Sequence, residues 1–333
     1  MDAALRARIG VAAARLDDGG LVAFPTETVY GLGADAGDPA AVARIFEAKG
    51  RPNDHPLIVH VPIGAELRQW ATAVPPIAQQ LIDAYWPGPL TLILRRRPGV
   101  GDAAAGGQDS IGLRCPSHPV AQALLMDYAM RRERRDRHAP IGIAAPSANR
   151  FGHVSPTRAS HVVDEFGEQA SIDGSATIVV IDGGDCPVGI ESTILDCSRL
   201  AAVGPVLLRP GSVTAAMIAE VIGAMPGLPD DAAPRASGTL ESHYAPSTPL
   251  RLVEADELAR AGDDVALWGF ALMSAAPNRL VASRDPTRYA HELYATLRSL
   301  DALGAREIWI ERPPQTAAWA GVNDRLMRAA YRA

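Results

Sequence analysis

The 333-residue chain reads as an α/β protein in two units joined by a proline-rich segment, and three observations predict this. Up to about residue 224, short apolar runs alternate with capped, helix-periodic stretches in mixed order. Residues 225–249 (MPGLPDDAAPRASGTLESHYAPSTP) hold five prolines and little apolar periodicity, which is linker composition. Residues 250–333 then return to strand–helix alternation on a smaller scale, the pattern of a compact parallel α/β unit.

In chain order, a helix over 3–17 leads through Gly19-Gly20 into the strand LVAF. Asp38 caps and Pro39 opens a helix running through AAVARIFEAK to Gly50. LIVHV (57–61) is a buried strand, a helix near 75–86 ends at WPGP, and LTLIL (90–94) and IGLR (111–114) are strands. Ser117 is the expected cap of a helix from His118 to about Arg135. IGIAA (141–145) is a buried strand entering the loop PSANRFGHVSPT, and Ser155-Pro156 is the expected start of a helix ending near Gly167. The strands TIVVID (177–182), STILD (192–196) and VLLR (206–209) and a helix at about 214–223 complete the first unit. In the second, RLVE, VALWGF and EIWIE are strands, Tyr289, Leu293, Leu297 and Leu300 mark a helix by their spacing, and another helix follows.

Composition narrows the function. Hydrophobic residues make up 47% of the chain, enough for real cores, but no run of about 18 uncharged apolar residues occurs, so no membrane span is expected. The amphipathic first twenty residues carry Asp2, Asp17 and Asp18 and lack the apolar segment of a secretory signal, which predicts a cytosolic protein. Cys115, Cys186 and Cys197 are far apart and form no C-x-x-C pair, so reduced thiols are expected rather than disulfides or structural zinc. A formal charge of −6 excludes a protein that coats nucleic acid through its overall field, and any anionic substrate must be held by a local cluster of cations. The run RRERRDRH (131–138) reads either as the solvated end of a helix or as an RNA-facing patch.

Gly31-Leu32-Gly33-Ala34-Asp35-Ala36 fits a permissive dinucleotide pattern, but the helix opens later, at Asp38-Pro39, and no acidic residue ends a second strand at the required distance. No Walker A sequence is present either, so a nucleotide would need another cradle. Lys49 and Arg51 leave a helix together in AKGRP, a point charge and a planar fork suited to a polyphosphate or to the helix dipole. His60 is a core histidine or a ligand-facing one, sharing the strand face of Ile58. Arg114, at a strand end, suits a substrate carboxylate or an internal salt bridge. Ser147 and Asn149 of PSAN offer bonds to phosphate or ribose, or satisfy a turn, and Ser192 of GIEST offers a hydroxyl to a small substrate.

The segments FPTETVYGLGADA, AKGRP with HPLIVHV, WPGPLTLIL, IGLRCPSHP, AAPSAN, SPT, GIESTI, LLRPG and HYAP occur in a fixed order, and with them the chain closely resembles the threonylcarbamoyl-AMP synthases. AGVNDRLMRAA, near the end, fits more loosely. The resemblance implies a YrdC-like catalytic domain (1–224) with a twisted, mixed, open sheet and flanking helices. A linker (225–249) would fold over the cleft, and a small Rossmann-like α/β domain (250–333) would follow. It implies that L-threonine, bicarbonate and ATP give threonylcarbamoyl-AMP and pyrophosphate. Mg²⁺ would be held largely by the nucleotide, with no protein-bound metal, and the product would pass to a tRNA threonylcarbamoyltransferase. Carried over by position, Thr26, His60, Arg114, Ala145 and Ser192 form the threonine set. Lys49, Arg51, His55, Ser110, Ser147, Asn149, Ser155, Arg209 and Tyr244 form the ATP set, with Lys49 and Arg51 catalytic. Ser110 stands where relatives often carry Thr, and His55 where some carry Asn.

Two other readings remain at this level. A basic cleft could make the chain a non-catalytic RNA-binding module, against which the net acidity and the few aromatic residues weigh. Direct tRNA contact by an enzyme is compatible with the reaction but not required by it. YrdC-like domains that carbamoylate proteins sit beside acylphosphatase and zinc-finger regions, for which this chain lacks the length and cysteines.

Overall fold

The computed structural model describes residues 1–240, 243–273 and 276–331. Its larger sheet has ten strands: β1 (Leu21–Pro25), β2 (Tyr30–Asp35), β3 (Ile58–His60), β4 (Leu90–Arg95), β5 (Ser110–Arg114), β6 (Ile143–Ala144), β7 (Ala170–Ser171), β8 (Ile178–Val180), β9 (Thr193–Asp196) and β10 (Val206–Arg209). They lie in the order β10-β9-β4-β5-β3-β6-β2-β1-β8-β7. The pairing is mixed: β1–β2 and β4–β5 are antiparallel, β3–β5 and β4–β9 parallel. The smaller sheet is wholly parallel, with β11 (Leu250–Val253), β12 (Val265–Gly269), β13 (Arg279–Val281) and β14 (Glu307–Glu311) in the order β11-β14-β12-β13. The α/β class and the mixed-plus-parallel architecture follow the expectation.

Local chemistry explains the helices. In α1 (Ala3–Asp17), Asp2 accepts from the Leu5 amide. In α2 (Pro39–Lys49), Asp38 accepts from the Ala40 amide and Gly50 ends the helix in the left-handed region at φ 61°. α3 is Pro76–Tyr85. The cap of α4 (Pro119–Arg135) is not Ser117 but His118, whose Nδ1 accepts from the Val120 amide, while the Ser117 amide donates to Glu27. α5 begins at Ala159 and ends at Phe166, not at Ser155-Pro156, because the Ser155 hydroxyl is committed to Glu191. A short helix α6 (Leu200–Val203) precedes α7 (Ala215–Ile222), which Thr214 caps. In the second unit, α8 (Ala255–Leu258), α9 (Pro286–Asp301) and α10 (Ala320–Ala330) follow.

β2, unexpected from the sequence, occupies the glycine pattern that fits the permissive dinucleotide motif. A Cβ on Gly33 would sit 2.7 Å from Ile143 and 2.8 Å from Phe24, so the glycine permits close packing against β1 and β6 rather than a phosphate. The strand at 141–145 contracts to Ile143–Ala144.

The core around the second sheet does not stop at the linker. Its buried cluster joins Leu250, Trp268, Leu293 and Ile310 to Val29, Val154, Ile190 and Tyr244. The two units therefore share one apolar interior beside the strand ends of the larger sheet. No helix of the described residues is long and apolar enough to cross a membrane.

Gly33→Ala is expected to lower the urea unfolding midpoint by the equivalent of about 1–3 kcal/mol through overpacking, with the denaturant slope unchanged. An unchanged midpoint would mean that β1 and β6 yield freely at this point.

Candidate functional site

The turn between β1 and β2 builds one wall of a cleft. Thr26 donates its hydroxyl to the Val29 carbonyl and accepts from the Thr28 and Val29 amides, which folds PTET tightly. That turn meets Arg114 at the end of β5. Arg114 donates to Thr28 Oγ1 at 3.0 Å and to the Gly88 carbonyl at 3.3 Å, and its Nη2 lies 2.8 Å from Glu27 Oε1. Of the two roles open to Arg114, the salt bridge is present. A guanidinium has five N–H donors, so this leaves donors for a further acceptor.

His60 is the direct neighbour of Arg114 across the parallel pair β3–β5. Its Nδ1 is buried without a partner, and the ring meets Phe24 edge-on with centroids 6.2 Å apart. On the opposite wall Ser192, at the start of β9, shares a 2.7 Å hydrogen bond with Thr91. Arg209 ends β10 and donates Nε and Nη2 to the Ser192 carbonyl at 3.0 and 2.9 Å.

The segment after the first unit roofs this cleft. Arg209 Nη1 donates to the Ser237 carbonyl at 2.7 Å and Arg51 Nη2 to Ser237 Oγ at 3.3 Å. Tyr244 takes φ 62°, the one non-glycine positive φ among the described residues, and a Cβ on Gly238 would lie 2.2 Å from its hydroxyl.

Thr26, Arg51, His60, Arg114, Ala145, Ser147, Ser192, Arg209 and Tyr244 all line this cleft, so nine residues named from separate sequence segments are brought together. Five named residues are not among its lining. Lys49 lies behind the wall, buried, and its ammonium donates to the carbonyls of Ser147 (2.6 Å) and Asn149. Asn149 closes its own loop by donating to the Arg150 and His153 carbonyls, leaving its buried Oδ1 unpartnered. Ser155 donates to Glu191 at 2.6 Å. His55 lines an adjoining hollow with Phe151, Arg235 and His243, and Ser110 starts β5, buried, on the strand face of Arg114. Sequence reasoning missed Glu27, Glu191, His243 and Ser237. Glu27, Glu191 and His243 stood inside the quoted motifs PTET, GIEST and HYAP, but their buried positions only folding reveals.

Burial governs the electrostatics. Desolvation, with Arg51 nearby, holds the Lys49 ammonium well below its usual value, and desolvation brings Arg51 down to about 10. Burial opposes ionisation of Glu191, yet Arg325, Arg209 and the Ser155 hydroxyl together hold its carboxyl at about 2. The run at 131–138 stands apart from the cleft lining, and three of its arginines pair with Asp127, Asp35 and Asp17.

A roofed, cation-lined cleft at the strand ends of an α/β sheet is the build of an enzyme for a small anionic substrate. The family model for Sua5, YciO and YrdC, described as Telomere recombination, matches residues 14–211. The model described as Threonylcarbamoyl-AMP synthase, C-terminal domain, matches residues 213–331. The chain belongs to this family of threonylcarbamoyl-AMP synthases. It is 37% identical to the threonylcarbamoyl-AMP synthase of Bacillus subtilis, an alignment covering 97% of this chain and 93% of that protein. It is also 37% identical to that of Pyrococcus abyssi, over 97% of this chain and 94% of the relative. A crystal structure of P. abyssi Sua5 complexed with L-threonine superposes with a TM-score of 0.84 at 35% identity, covering 98% of this chain and 94% of that one.

Burial holds His60 at about 3, with Arg114 contributing, and burial likewise holds His243 at about 3. Both rings are neutral in the folded chain where unfolded histidines, near 6.5, take up protons. Their contribution to stability is complete above pH 6.5 and is lost as the pH falls towards 3, by up to about 1.4 kcal/mol per pH unit for each ring. Urea unfolding between about pH 4.5 and 7.5 should show this acid loss, and His60→Gln should flatten it by one histidine's share. If the slope does not change, His60 is not the source.

Proposed function

We propose that the chain is a threonylcarbamoyl-AMP synthase, converting L-threonine, bicarbonate and ATP to threonylcarbamoyl-AMP and pyrophosphate. The observation that carries this reading is the convergence of Arg51, Arg114 and Arg209, each less than a tenth exposed, on one cleft that also presents Thr26, Ser147 and Ser192. Buried guanidiniums attract an anion far more strongly than exposed ones, because little water screens them.

In this reading the threonine amine attacks the bicarbonate carbon, a C–O bond breaks and water leaves, which gives a carbamate. A carbamate oxygen attacks the α-phosphorus of ATP, the bond to the bridging oxygen breaks, and pyrophosphate leaves with its electron pair. The chain's work is placement and charge stabilisation. Arg114, aimed by Glu27 and Thr28, offers its remaining donors to the threonine carboxylate, beside Thr26, His60, Ala145 and Ser192. Neutral His60 accepts or donates one hydrogen bond without adding charge. Arg51 and Arg209 face the triphosphate, with Ser147 and Tyr244 beside them. Lys49 braces the loop of Ser147 and Asn149 from behind and contributes positive field. His55, Ser110, Asn149 and Ser155 complete the nucleotide surroundings in this proposal. Mg²⁺ enters with the nucleotide as part of the substrate.

We further propose that the enzyme works in the cytoplasm and that its product passes to a tRNA threonylcarbamoyltransferase. The cleft cations are turned inward and roofed by Ser237 and Tyr244, an arrangement suited to a small molecule and poorly suited to an RNA backbone.

Pyrophosphate release and formation of an adenylated product are expected only when threonine and bicarbonate are both supplied; release indifferent to threonine would sink the proposal. Arg51→Ala should lower kcat/KM by about 2–5 kcal/mol, thirtyfold or more, with unchanged circular dichroism. Full activity in that variant would remove Arg51 from the phosphate cluster.

A further inference from the structure

The first unit alone does not hold the wall of the cleft at Glu191 and Ser192. Glu191 Oε2 accepts from the Tyr294 hydroxyl of α9 at 2.8 Å and from Arg325 Nε of α10 at 2.9 Å. The same guanidinium donates Nη2 to the Glu191 carbonyl at 3.1 Å and Nη1 to the Pro210 carbonyl at 2.8 Å. One side chain of the second unit thus grips the main chain just before β9 and just after β10. It is fully buried, is balanced also by Asp324 at 2.7 Å, and lies 5.6 Å from the Tyr244 ring centroid.

Two glycines show how closely the units meet here. Gly189 takes φ 82°, and a Cβ on it would come within 2.4 Å of the His291 backbone in α9. A Cβ on Gly321, in α10, would lie 2.9 Å from Ile190 and 3.2 Å from the Gly211 backbone. Both helices approach residues 189–211 at a distance that admits no side chain, so the contact has little room to slide.

From Glu191 the connection runs directly to groups that face the cleft. The Ser192 carbonyl receives two donors of Arg209, whose third reaches Ser237 in the roof. If Arg325 were absent, a desolvated carboxylate would lose its guanidinium. The other cation acting strongly on Glu191 is Arg209 itself. The carboxylate would then compete with Ser192 and Ser237 for that fork.

We propose that Arg325 is a positioning residue of the cleft, which fixes Glu191 and Pro210 from the second unit and so sets the angle at which Ser192 and Arg209 meet the substrates. The proposal rests on the reading of this cleft as the ATP and threonine site. It assigns the second unit a part in substrate binding through a residue that touches neither substrate.

The test uses the full chain with Arg325→Gln, Arg325→Lys and Tyr294→Phe, measuring thermal unfolding and pyrophosphate release with ATP and threonine varied separately. Folded Arg325→Gln should raise KM for both substrates by about tenfold or more, with Arg325→Lys recovering part of the loss. Tyr294→Phe removes one donor and keeps the ring, and should raise both KM values a few-fold at an unchanged unfolding temperature. A merely cementing role would instead lower apparent kcat in step with the folded fraction and leave KM untouched, which would overturn the proposal. If Arg325→Gln does not fold, Tyr294→Phe decides, and unchanged KM values there overturn it equally. Wild-type protein lacking threonine-dependent turnover would instead defeat the substrate reading, which separates the two failures.

Discussion

Desolvated positive charge organises this molecule. Lys49, Arg51, Arg114, Arg209 and Arg325 are all less than a tenth exposed, and a buried cation is tolerated only where oxygen atoms surround it. Those oxygens come from distant parts of the chain. Arg114 draws in the turn at Thr26–Thr28 and Gly88, Arg209 takes Ser192 and Ser237, and Arg325 takes Glu191 and Pro210. Each guanidinium therefore closes a loop of chain as it satisfies itself, and the cleft is the space these closures leave. Apolar packing supplies the free energy that permits such an arrangement, since the cores on either side of the cleft are extensive.

The roof follows from the same constraint. Ser237 is held by two cations of the first unit, and His243 and Tyr244 pack against Phe151 and Tyr294. A tyrosine at φ 62° is an unfavourable backbone state, retained where its surroundings over-determine it. Here the ring has Arg325 over one side and Tyr294 beside it, while Gly238 makes room for the hydroxyl. A segment with linker composition is thus ordered by contacts that its own sequence does not advertise.

Much of this was legible before folding was considered, and what was not has a physical reason. AKGRP and IGLR place cations at the ends of a helix and a strand, where open α/β sheets gather ligands, so Arg51 and Arg114 could be named from position, whereas Arg209 at the end of VLLR was named through the family resemblance. β2 was hidden because Gly31 and Gly33 are poor strand formers in isolation, and their value lies in the close approach of Phe24, Ile143 and Ala145. Ser155 looks like a helix cap until Glu191, 36 residues on, claims its hydroxyl. Glu191 stands inside GIEST, but its role is hidden, because its partners Tyr294 and Arg325 stand 103 and 134 residues away. Lys49 was legible as a cation at a helix exit, whereas its turn onto two main-chain carbonyls was not.

The charge balance of the buried cluster bears on what the cleft is for. Among the described residues Arg114 pairs with Glu27, and Arg325 with Glu191 and Asp324, whereas Lys49, Arg51 and Arg209 make no ion pair, inside a protein whose formal net charge is −6. After burial, Arg51 is the next cause depressing Lys49, and Arg209 in turn acts against Arg51. Adding another carboxylate would have relieved this repulsion at the cost of the site's attraction for anions. Leaving Lys49, Arg51 and Arg209 without carboxylate partners preserves a positive field at the strand ends, which the proposed anionic substrates require.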